Sequence, residues 1–328
     1  MSTPPAGTVK KRMFSRNDYL SPLPIPTGEK PCDVLNIIWR KNEVFLDIGN
    51  YSVGSAVMVM WPSLIVVFAM SFFTRNLDPE FSYGILIIGG TILGLPVLIL
   101  IQGLFRHVPL PIRFNRLRRE VCVPRDNGEY WIVPWETVTA AATQQSSISQ
   151  AGRSTMGLLV IGFENPDPDA KEDNKHFSLG FNCGGGTTAM ALWECMRSYM
   201  EIGPHVLPQT NDFENGREKL RGRSVFWGIC CEYLDGIRHH LVAQEVGKAA
   251  WLIIGAVFLG APLAMMLQTW KLSPPPELPY SEVGEWSKPL PPEQWAKRSP
   301  ELEAAIAKRE AELAASVQQP PQPLRNQP

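Results

Sequence analysis

The sequence lacks an excess of charge and any paired cysteine or histidine motif, and these absences exclude whole classes of protein. Its 31 basic and 32 acidic residues leave a formal net charge of -1, so the chain as a whole offers no basic field for nucleic acid. The six cysteines form no Cys-x-x-Cys pair, and the five histidines have no metal-ligand spacing with them. We therefore expect reduced, mostly buried thiols and no metal or other cofactor.

No complete catalytic motif is present either. Gly180–Ala189 (GFNCGGGTTA) resembles a phosphate loop, but it lacks the lysine of a Walker loop. A dinucleotide fingerprint belongs in a parallel βαβ unit, whereas the strands predicted next to this loop look antiparallel. The acidic stretch Asp167–Asp173 lacks the ligand positions of an EF-hand, and no Gly-x-Ser-x-Gly elbow occurs. These absences predict a protein that is not an enzyme.

A cleaved signal peptide is not expected at the start of the chain. Met1–Asn50 is rich in proline and charge and has no leading apolar core. The first apolar stretch is therefore expected to act as an uncleaved signal that remains in the membrane.

What the sequence does contain is three long apolar stretches without a charged residue: Tyr51–Phe73, Ser82–Phe105 and Ala249–Trp270. Each meets the roughly 20 residues that a helix needs to cross a bilayer core, and none has the polar side of a helix that covers a soluble core. Because only the short link Thr74–Phe81 joins the first two, they are predicted to form a transmembrane hairpin over residues 51–105. Ion pathways usually need ionisable groups at membrane depth, so a transporter or pump is disfavoured.

The distribution of positive charge predicts on which side of the membrane each segment lies. Basic residues are frequent in Met1–Asn50 and again after the second span, whereas the link carries only Arg75 beside two acidic residues. By the positive-inside rule, the N-terminal segment and residues 106–248 are cytoplasmic and the link is outside. The third span, residues 249–270, then exports the tail, residues 271–328.

Residues 106–208 form the segment that is predicted to fold as a soluble domain. Strands flank the turn Arg125–Gly128, whose Asn-Gly pair is a hairpin signal, and Thr155–Glu164 has the composition of a buried strand. The polar stretch Thr143–Ser154 is expected to be a loop. Thr187–Met200 has apolar residues at helical spacing. Antiparallel strands closed by one helix resemble a pleckstrin-homology-like (PH-like) α+β roll.

Two further segments flank the third span. Residues 209–248 are predicted to be a helical juxtamembrane segment, which either lies in the membrane interface or packs on the domain; the sequence leaves both open. In the tail, the proline-rich flanks are expected to be extended or disordered. Pro300–Val317 between them is predicted to be a solvated helix.

Four arginines follow the second span closely: Arg113, Arg116, Arg118 and Arg119. A nucleic-acid patch would need aromatic residues interleaved with a broad basic face, which the net charge does not favour. Arginines at the cytoplasmic end of a span commonly interact with anionic lipid headgroups, at about 1 kcal/mol each. The sequence therefore predicts that these four contact membrane lipid, with no nucleic-acid partner.

Three short motifs, RFNRLRREV, VPWE and WECMRSYMEIGPHVLP, resemble a family of proteobacterial inner-membrane proteins without an assigned activity. In that family a PH-like domain follows a transmembrane hairpin, and the genes often lie beside type VI secretion spike and toxin genes. The resemblance covers roughly residues 33–208. The matching residues are Arg113, Asn115, Arg116, Arg119, Pro134, Trp135, Trp193, Arg197, Tyr199, Met200, Glu201, Gly203 and Pro204. The resemblance implies structural roles for six of them: Pro134, Trp135, Trp193, Tyr199, Gly203 and Pro204.

The leading functional hypothesis is a non-enzymatic inner-membrane interaction protein. The resemblance implies an immunity or accessory factor that binds a type VI secretion toxin or another component of that system. The alternative is a membrane-anchored lipid or ligand sensor that uses the PH-like domain.

Overall fold

A computed structural model describes residues 4–51, 53–149, 152–208, 213 and 224–318, and the side chains of all of these except 147–149, 152–155 and 316–318. The chain divides into two compact units. The first, the sheet unit, takes in Met1–Asn50, Leu110–Thr210 and Leu278–Pro328. The second, the helical unit, takes in Tyr51–Pro109 and Asn211–Glu277. The N-terminal segment and the tail, which the sequence set apart from the middle domain, thus belong to one unit with it.

The sheet unit contains two five-stranded antiparallel sheets. The first has the order β1-β2-β8-β9-β10, formed by Val9–Lys11, Ser15–Ser21, Thr139–Ser149, Gly152–Glu164 and His176–Asn182. The second follows the chain order β3 to β7, formed by Ile38–Lys41, Phe45–Ile48, Ile112–Asn115, Glu120–Pro124 and Tyr130–Pro134. The predicted α+β class with antiparallel strands is confirmed.

The hairpin between β6 and β7 forms where the Asn-Gly signal predicted it. Gly128 has a φ of 85°, a conformation that glycine adopts without steric cost. Its amide donates to the carbonyl of Arg125 at 3.1 Å and closes the turn. Pro124 and Tyr130 are then paired across the ladder.

The predicted loop at Thr143–Ser154 is wrong, because most of this stretch belongs to the long hairpin of β8 and β9. The pairing runs from Thr139 opposite Gly162 to Ser149 opposite Gly152. The stretch is polar because Thr143 and Gln145 are half-buried or exposed rather than in the core. The polar composition of Thr143–Ser154 therefore indicates that its side chains contact water, and it does not indicate an irregular backbone.

The core of the sheet unit is closed by α3, Gly186–Glu201, which confirms the helix predicted at Thr187–Met200. Trp193 and Met196 are 0% exposed, so the apolar stripe packs inside the protein. Trp193 stacks on Trp135 with ring centroids 5.3 Å apart. This aromatic pair links the helix to the short 3-10 turn that follows β7.

The tail is folded as far as it is described. It contains α7, Ser281–Trp286, and α8, Pro300–Gln318, and α8 confirms the helix predicted at Pro300–Val317. The expectation that the flanks are extended or disordered is wrong for residues 278–287, because Leu278, Val283 and Trp286 are buried in a cluster with Cys122. Burial of these apolar side chains offsets the conformational entropy lost on ordering the segment. Residues 319–328 lie outside the described residues.

The helical unit begins with α1, Val53–Thr74, and α2, Pro79–Phe105. These agree closely with the two predicted spans, and both are long and apolar enough to cross a membrane. Asp78 caps α2 by accepting from the amide of Phe81 at 3.0 Å, as residues at this position commonly do.

The third predicted span is not one straight helix. It consists of α5, Val246–Val257, and α6, Ala261–Leu272, which are bent by 66°. Gly260 adopts a left-handed φ of 65° at the break, and Pro262 occupies the first turn of α6, where a proline is tolerated. The described residues thus contain two helices capable of crossing a membrane, or three if the bent pair counts as one span.

The predicted juxtamembrane helix is present in part. Helix α4, Val225–Val242, lies before the bent pair. The basic stretch of Arg217, Lys219, Arg221 and Arg223 lies outside the described residues.

Candidate functional site

The most prominent polar cluster of the sheet unit is centred on Glu201 at the end of α3. Its carboxylate is fully buried and accepts from Arg119 at 2.9 Å and from the indole Nε1 of Trp135 at 2.8 Å. Arg298 of the tail donates to it from Nε at 2.6 Å. Glu136 takes a second contact from Arg119 at 3.1 Å. The cluster therefore joins α3, the β7 corner and the tail around one buried charge.

The electrostatics of this cluster favour the ionised form of Glu201. Burial alone raises the pKa of a carboxyl group, but hydrogen bonding and charge from Arg119, with help from Trp135 and Arg298, lower the Glu201 pKa below its usual value. A carboxylate that is 0% exposed and fully paired is not available to a substrate. We interpret the cluster as a structural lock.

A second buried cluster is centred on Asp47 of β4. Arg113 donates to it through Nε and Nη2 at 2.7 and 2.8 Å, and Arg40 lies 3.5 Å away. Arg113 also packs over the ring of Phe45, 3.8 Å from its centroid, and donates to the hydroxyl of Ser287 in the tail at 3.0 Å. Like the Glu201 cluster, it joins the strands to the tail.

These contacts correct the predicted lipid role of two of the four arginines. Arg113 and Arg119 are 4% and 9% exposed, so their guanidinium groups are used inside the protein and not by headgroups. Arg118 donates to the carbonyl of Trp286 at 3.0 Å, and Arg116 donates to the carbonyl of Ile202 at 3.1 Å; both are half-buried. Nothing in the sequence indicates the acidic partners, which lie far away along the chain.

The remaining motif residues are close neighbours of Glu201 or Trp135 along the chain. The Tyr199 hydroxyl donates to the carbonyl of Asn42 at 2.8 Å, and burial raises the pKa of this phenol. Gly203 has a φ of 140°, which an L side chain rarely adopts, and Pro204 then starts a 3-10 turn. Pro134, at the end of β7, is exposed.

The glycine loop before α3 is explained by close packing. A Cβ on Gly157 of β9 would lie 2.1 Å from the backbone of Gly185, so the two backbones meet where no side chain fits. The Gly185 amide donates to the Thr188 hydroxyl at 3.0 Å. One donor that a phosphate would need is therefore already used within the loop.

The first sheet carries an exposed apolar surface, which we call the Met13 patch: Met13, Phe14 and Met156. These side chains are 87%, 54% and 57% exposed, and they line one shallow groove together with Arg12, Ser15, Gln145 and Ser146. The register Ser15 to Gln145 to Met156 places the groove across β2, β8 and β9. Exposed apolar clusters of this kind mark sites of interaction with a protein or a membrane.

Among the described residues, no group of three or more His, Cys, Asp or Glu side chains is arranged to hold a metal ion. The buried thiols are not activated, since burial raises the pKa of Cys122 to about 12 and that of Cys183 to about 11.

Comparisons of the chain with protein-family models, with curated proteins and with solved structures found no match. The resemblance drawn from the short motifs therefore stays a prediction.

Sequence reasoning missed the contribution of the tail to both ion clusters. Trp286 donates from its indole to Glu120 at 2.7 Å, and its carbonyl accepts from Asn115 at 2.9 Å. The available signal was the presence of Trp286 and Trp295 in a proline-rich stretch, because disordered segments are poor in aromatic residues.

Proposed function

We propose that the protein is a non-enzymatic, membrane-anchored interaction protein whose sheet unit binds a protein partner. The observation that carries this proposal is the insertion of the apolar hairpin α1–α2 between β4 and β5. These two strands pair directly, with Ile48 opposite Ile112 and Phe45 opposite Asn115. The hairpin thus interrupts a folded sheet at a single strand connection, and its evident use is to hold that sheet at a membrane.

The finer parts of the proposal follow from the order of the elements and from the resemblance. The strands β5 to β10, followed by α3, have the sequence of antiparallel strands and closing helix that led us to propose a PH-like roll for residues 106–208. The positive-inside rule assigns the sheet unit to the cytoplasm of a bacterial inner membrane. The short motifs assign the partner to a type VI secretion toxin or another component of that system, so immunity is the proposed role.

The Met13 patch is the surface that we propose for the partner. Methionine and phenylalanine side chains adapt to a partner surface and supply much of the buried area in protein interfaces. Polar Ser15, Gln145 and Ser146 in the same groove give it the mixed lining of a protein interface rather than of a core.

The test is co-expression with the product of the neighbouring toxin gene in a sensitive host. We expect the intact chain to protect the host and to co-purify with the toxin, and the double variant Met13→Ser/Met156→Ser to lose both at an unchanged level of membrane-inserted protein. Ile202→Ser is the matched control, because Ile202 is 45% exposed in the same unit but outside the patch. Protection that is unaffected by the patch variant would contradict this binding surface, and failure of the intact chain to bind or protect would contradict immunity.

A second function, contact with an anionic bilayer surface, is favoured by the charge beside the patch. Lys10, Lys11 and Arg12 directly precede Met13 and Phe14, and the three basic residues are exposed. Basic residues next to exposed apolar ones bind membrane interfaces. The full chain in nanodiscs of neutral lipid should then gain affinity for added anionic vesicles only while this stretch is intact, and Lys10→Ser/Lys11→Ser/Arg12→Ser should abolish the gain. Equal binding by this variant would exclude the sensor function at this surface.

A further inference from the structure

The third apolar segment does not carry the tail across the membrane. We infer that the bent pair α5–α6 returns to the side of the membrane from which the chain reached it, so that the tail, the N-terminal segment and the middle domain all lie on one side. This replaces the predicted topology, in which a single third span exports residues 271–328.

The folded sheet unit gives the first line of support. A tail on the far side of a bilayer cannot contribute to a core on the near side. Yet Leu302 is 0% exposed, Arg298 pairs with the buried Glu201 at 2.6 Å, and Ser287 accepts from the buried Arg113 at 3.0 Å. The residues before and after each stretch of the helical unit belong to the same folded sheet unit, so each stretch crosses the membrane an even number of times.

The two ends of the segment meet within the helical unit itself. The hydroxyl of Ser273, directly after α6, donates to the carbonyl of Phe213, which lies before α4, at 2.7 Å. Both residues are buried. Two chain ends that are hydrogen bonded to each other cannot be separated by a bilayer core of about 30 Å.

The path of α6 along α1 gives independent support. Gly260 at the start of α6 lies against the ring of Trp61, whereas Gln268 and Ala264 lie against Gly54 at the start of α1. At the end of α6, the Lys271 ammonium donates to the carbonyl of Arg106, just after α2, at 3.1 Å. Helix α6 therefore runs antiparallel to α1 and ends at the level where α1 begins and α2 ends.

Helix α4 packs antiparallel to α5. A Cβ on Gly236 would lie 3.6 Å from the Leu252 side chain, and both residues are equally far along the chain from the turn Ala243–Glu245. At that turn, Glu245 accepts from Lys248 at 2.7 Å and is bonded to His240 at 2.7 Å. The chain therefore reverses direction between α4 and α5.

Backbone polar groups at the break between α5 and α6 have hydrogen-bond partners, as a non-helical segment at membrane depth requires. Lipid-exposed backbone would leave carbonyls without partners, but the Trp61 indole donates to the carbonyl of Val257 at 2.9 Å. Gly260 and Ala261 are buried. Each half has 12 residues, or about 18 Å of helix, which is too short to span the core alone.

The experiment compares two ends of the full chain in the same membranes. The N-terminus and the C-terminus carry different protease-cleavable tags, and protease is added either to inverted vesicles or to intact spheroplasts. We expect both tags to be cleaved together in inverted vesicles and both to be protected in spheroplasts. A third chain with a tag inserted after Asn76, in the link between α1 and α2, supplies the opposite pattern as a control.

A second measurement avoids the tags. Cys32 in the sheet unit is exposed, and Glu285 of α7 has a 73% exposed side chain. In a Glu285→Cys chain, a membrane-impermeant maleimide followed by peptide mapping should label positions 32 and 285 from the same face of the vesicle. A C-terminal tag and a position 285 that react only from the face opposite to Cys32 would overturn the inference. Neither readout depends on partner binding, so a failed immunity test leaves this result standing.

Discussion

The sheet unit and the helical unit place their apolar residues in opposite ways. In the sheet unit, Leu46 and Val121 are 0% exposed, and apolar side chains from both sheets fill one core. In the helical unit, Ile87 of α2 and Phe72 of α1 are 68% and 71% exposed. Only four residues of α1 and two of α2 are buried. Most of their apolar side chains therefore face outward, as expected for helices in an apolar environment.

The two units also differ in how they treat charge. The sheet unit buries Asp47, Arg113 and Glu201 and pairs each of them, because an unpaired charge in a core is costly. The two helices that could cross a membrane meet through uncharged polar groups instead, since the hydroxyl groups of Ser71 and Ser82 lie 2.8 Å apart between α1 and α2. The comparison indicates that the surrounding medium, and not the type of secondary structure, decides whether apolar or charged side chains are buried. The following substitutions test this conclusion.

The largest effect is expected from Glu201→Ala in the sheet unit. The change leaves Arg119 buried without its main partner, and breaking a buried pair typically costs about 3–5 kcal/mol. Thermal unfolding of the full chain in detergent, followed by near-ultraviolet circular dichroism, measures the loss. Glu285→Ala is the control, since its pair with Lys288 is exposed and should change the free energy of unfolding by about 0.5 kcal/mol at most. Equal effects of the two changes would mean that the Glu201 cluster does not lock the unit.

The matching change in the helical unit is Leu95→Arg. Leu95 is 65% exposed in the middle of α2, and an arginine near the centre of a span costs about 2.5–3.5 kcal/mol on insertion. We expect a lower fraction of the chain in the membrane, measured by carbonate extraction of cell membranes. Leu95→Phe keeps the site apolar and should insert normally. Normal insertion of the arginine variant would show that this face of α2 does not meet lipid.

Acid should give a reversible and weaker form of the Glu201 effect. The pKa of Glu201 is lowered in the folded protein, so its contribution to stability is full above the usual glutamate pKa and is lost as the pH falls through the lowered value. The tail contact through Arg298 should loosen over that acidic range and not near neutrality. Limited proteolysis of the tail between pH 7 and pH 3 measures this, with Glu201→Gln as the comparison. A pH response that persists in the glutamine variant would assign it to other groups.

The smallest effect is expected from Trp61→Phe in α1. The change removes the donor to the Val257 carbonyl but keeps an aromatic ring against Gly260. Hydrogen bonds between membrane helices contribute about 0.6–2 kcal/mol, so the midpoint of thermal unfolding in detergent should fall by a few degrees. Trp251→Phe is the control, because Trp251 is 67% exposed on α5. An equal shift for the control would show that the hydrogen bond from Trp61 to Val257 does not stabilise the bend between α5 and α6.

Much of the local structure was predictable from the sequence. The two uncharged stretches became α1 and α2, the Asn-Gly turn joined β6 to β7, and the helical spacing after Thr187 became α3. Each of these depends on neighbours in the chain, through length, turn conformation or period. The failures had the opposite origin, since polarity was taken for a loop at Thr143–Ser154 and proline content was taken for disorder at residues 278–287.

The candidate site was less predictable than the fold. Arg113 and Arg119 were recognised as unusual, but their partners Asp47 and Glu201 lie 66 and 82 positions away. Nothing in a single sequence shows that such distant charges meet. Because the four arginines follow a span, they were assigned to anionic lipid headgroups. In the structure, Arg113 and Arg119 pair with the carboxylates of Asp47 and Glu201 instead.

The sequence by itself determined that two helices are compatible with a membrane, because a run of uncharged, mostly apolar residues of bilayer length is rarely stable in water. It also determined an antiparallel α+β fold, since strand and helix periods are local properties. Only the tertiary structure decided that the tail belongs to the sheet unit, that Arg113 and Arg119 are internal and that the third apolar segment is bent by 66°. These outcomes depend on contacts between residues far apart in the chain, and a buried charge or a bent helix is stable only where its partner has already been placed.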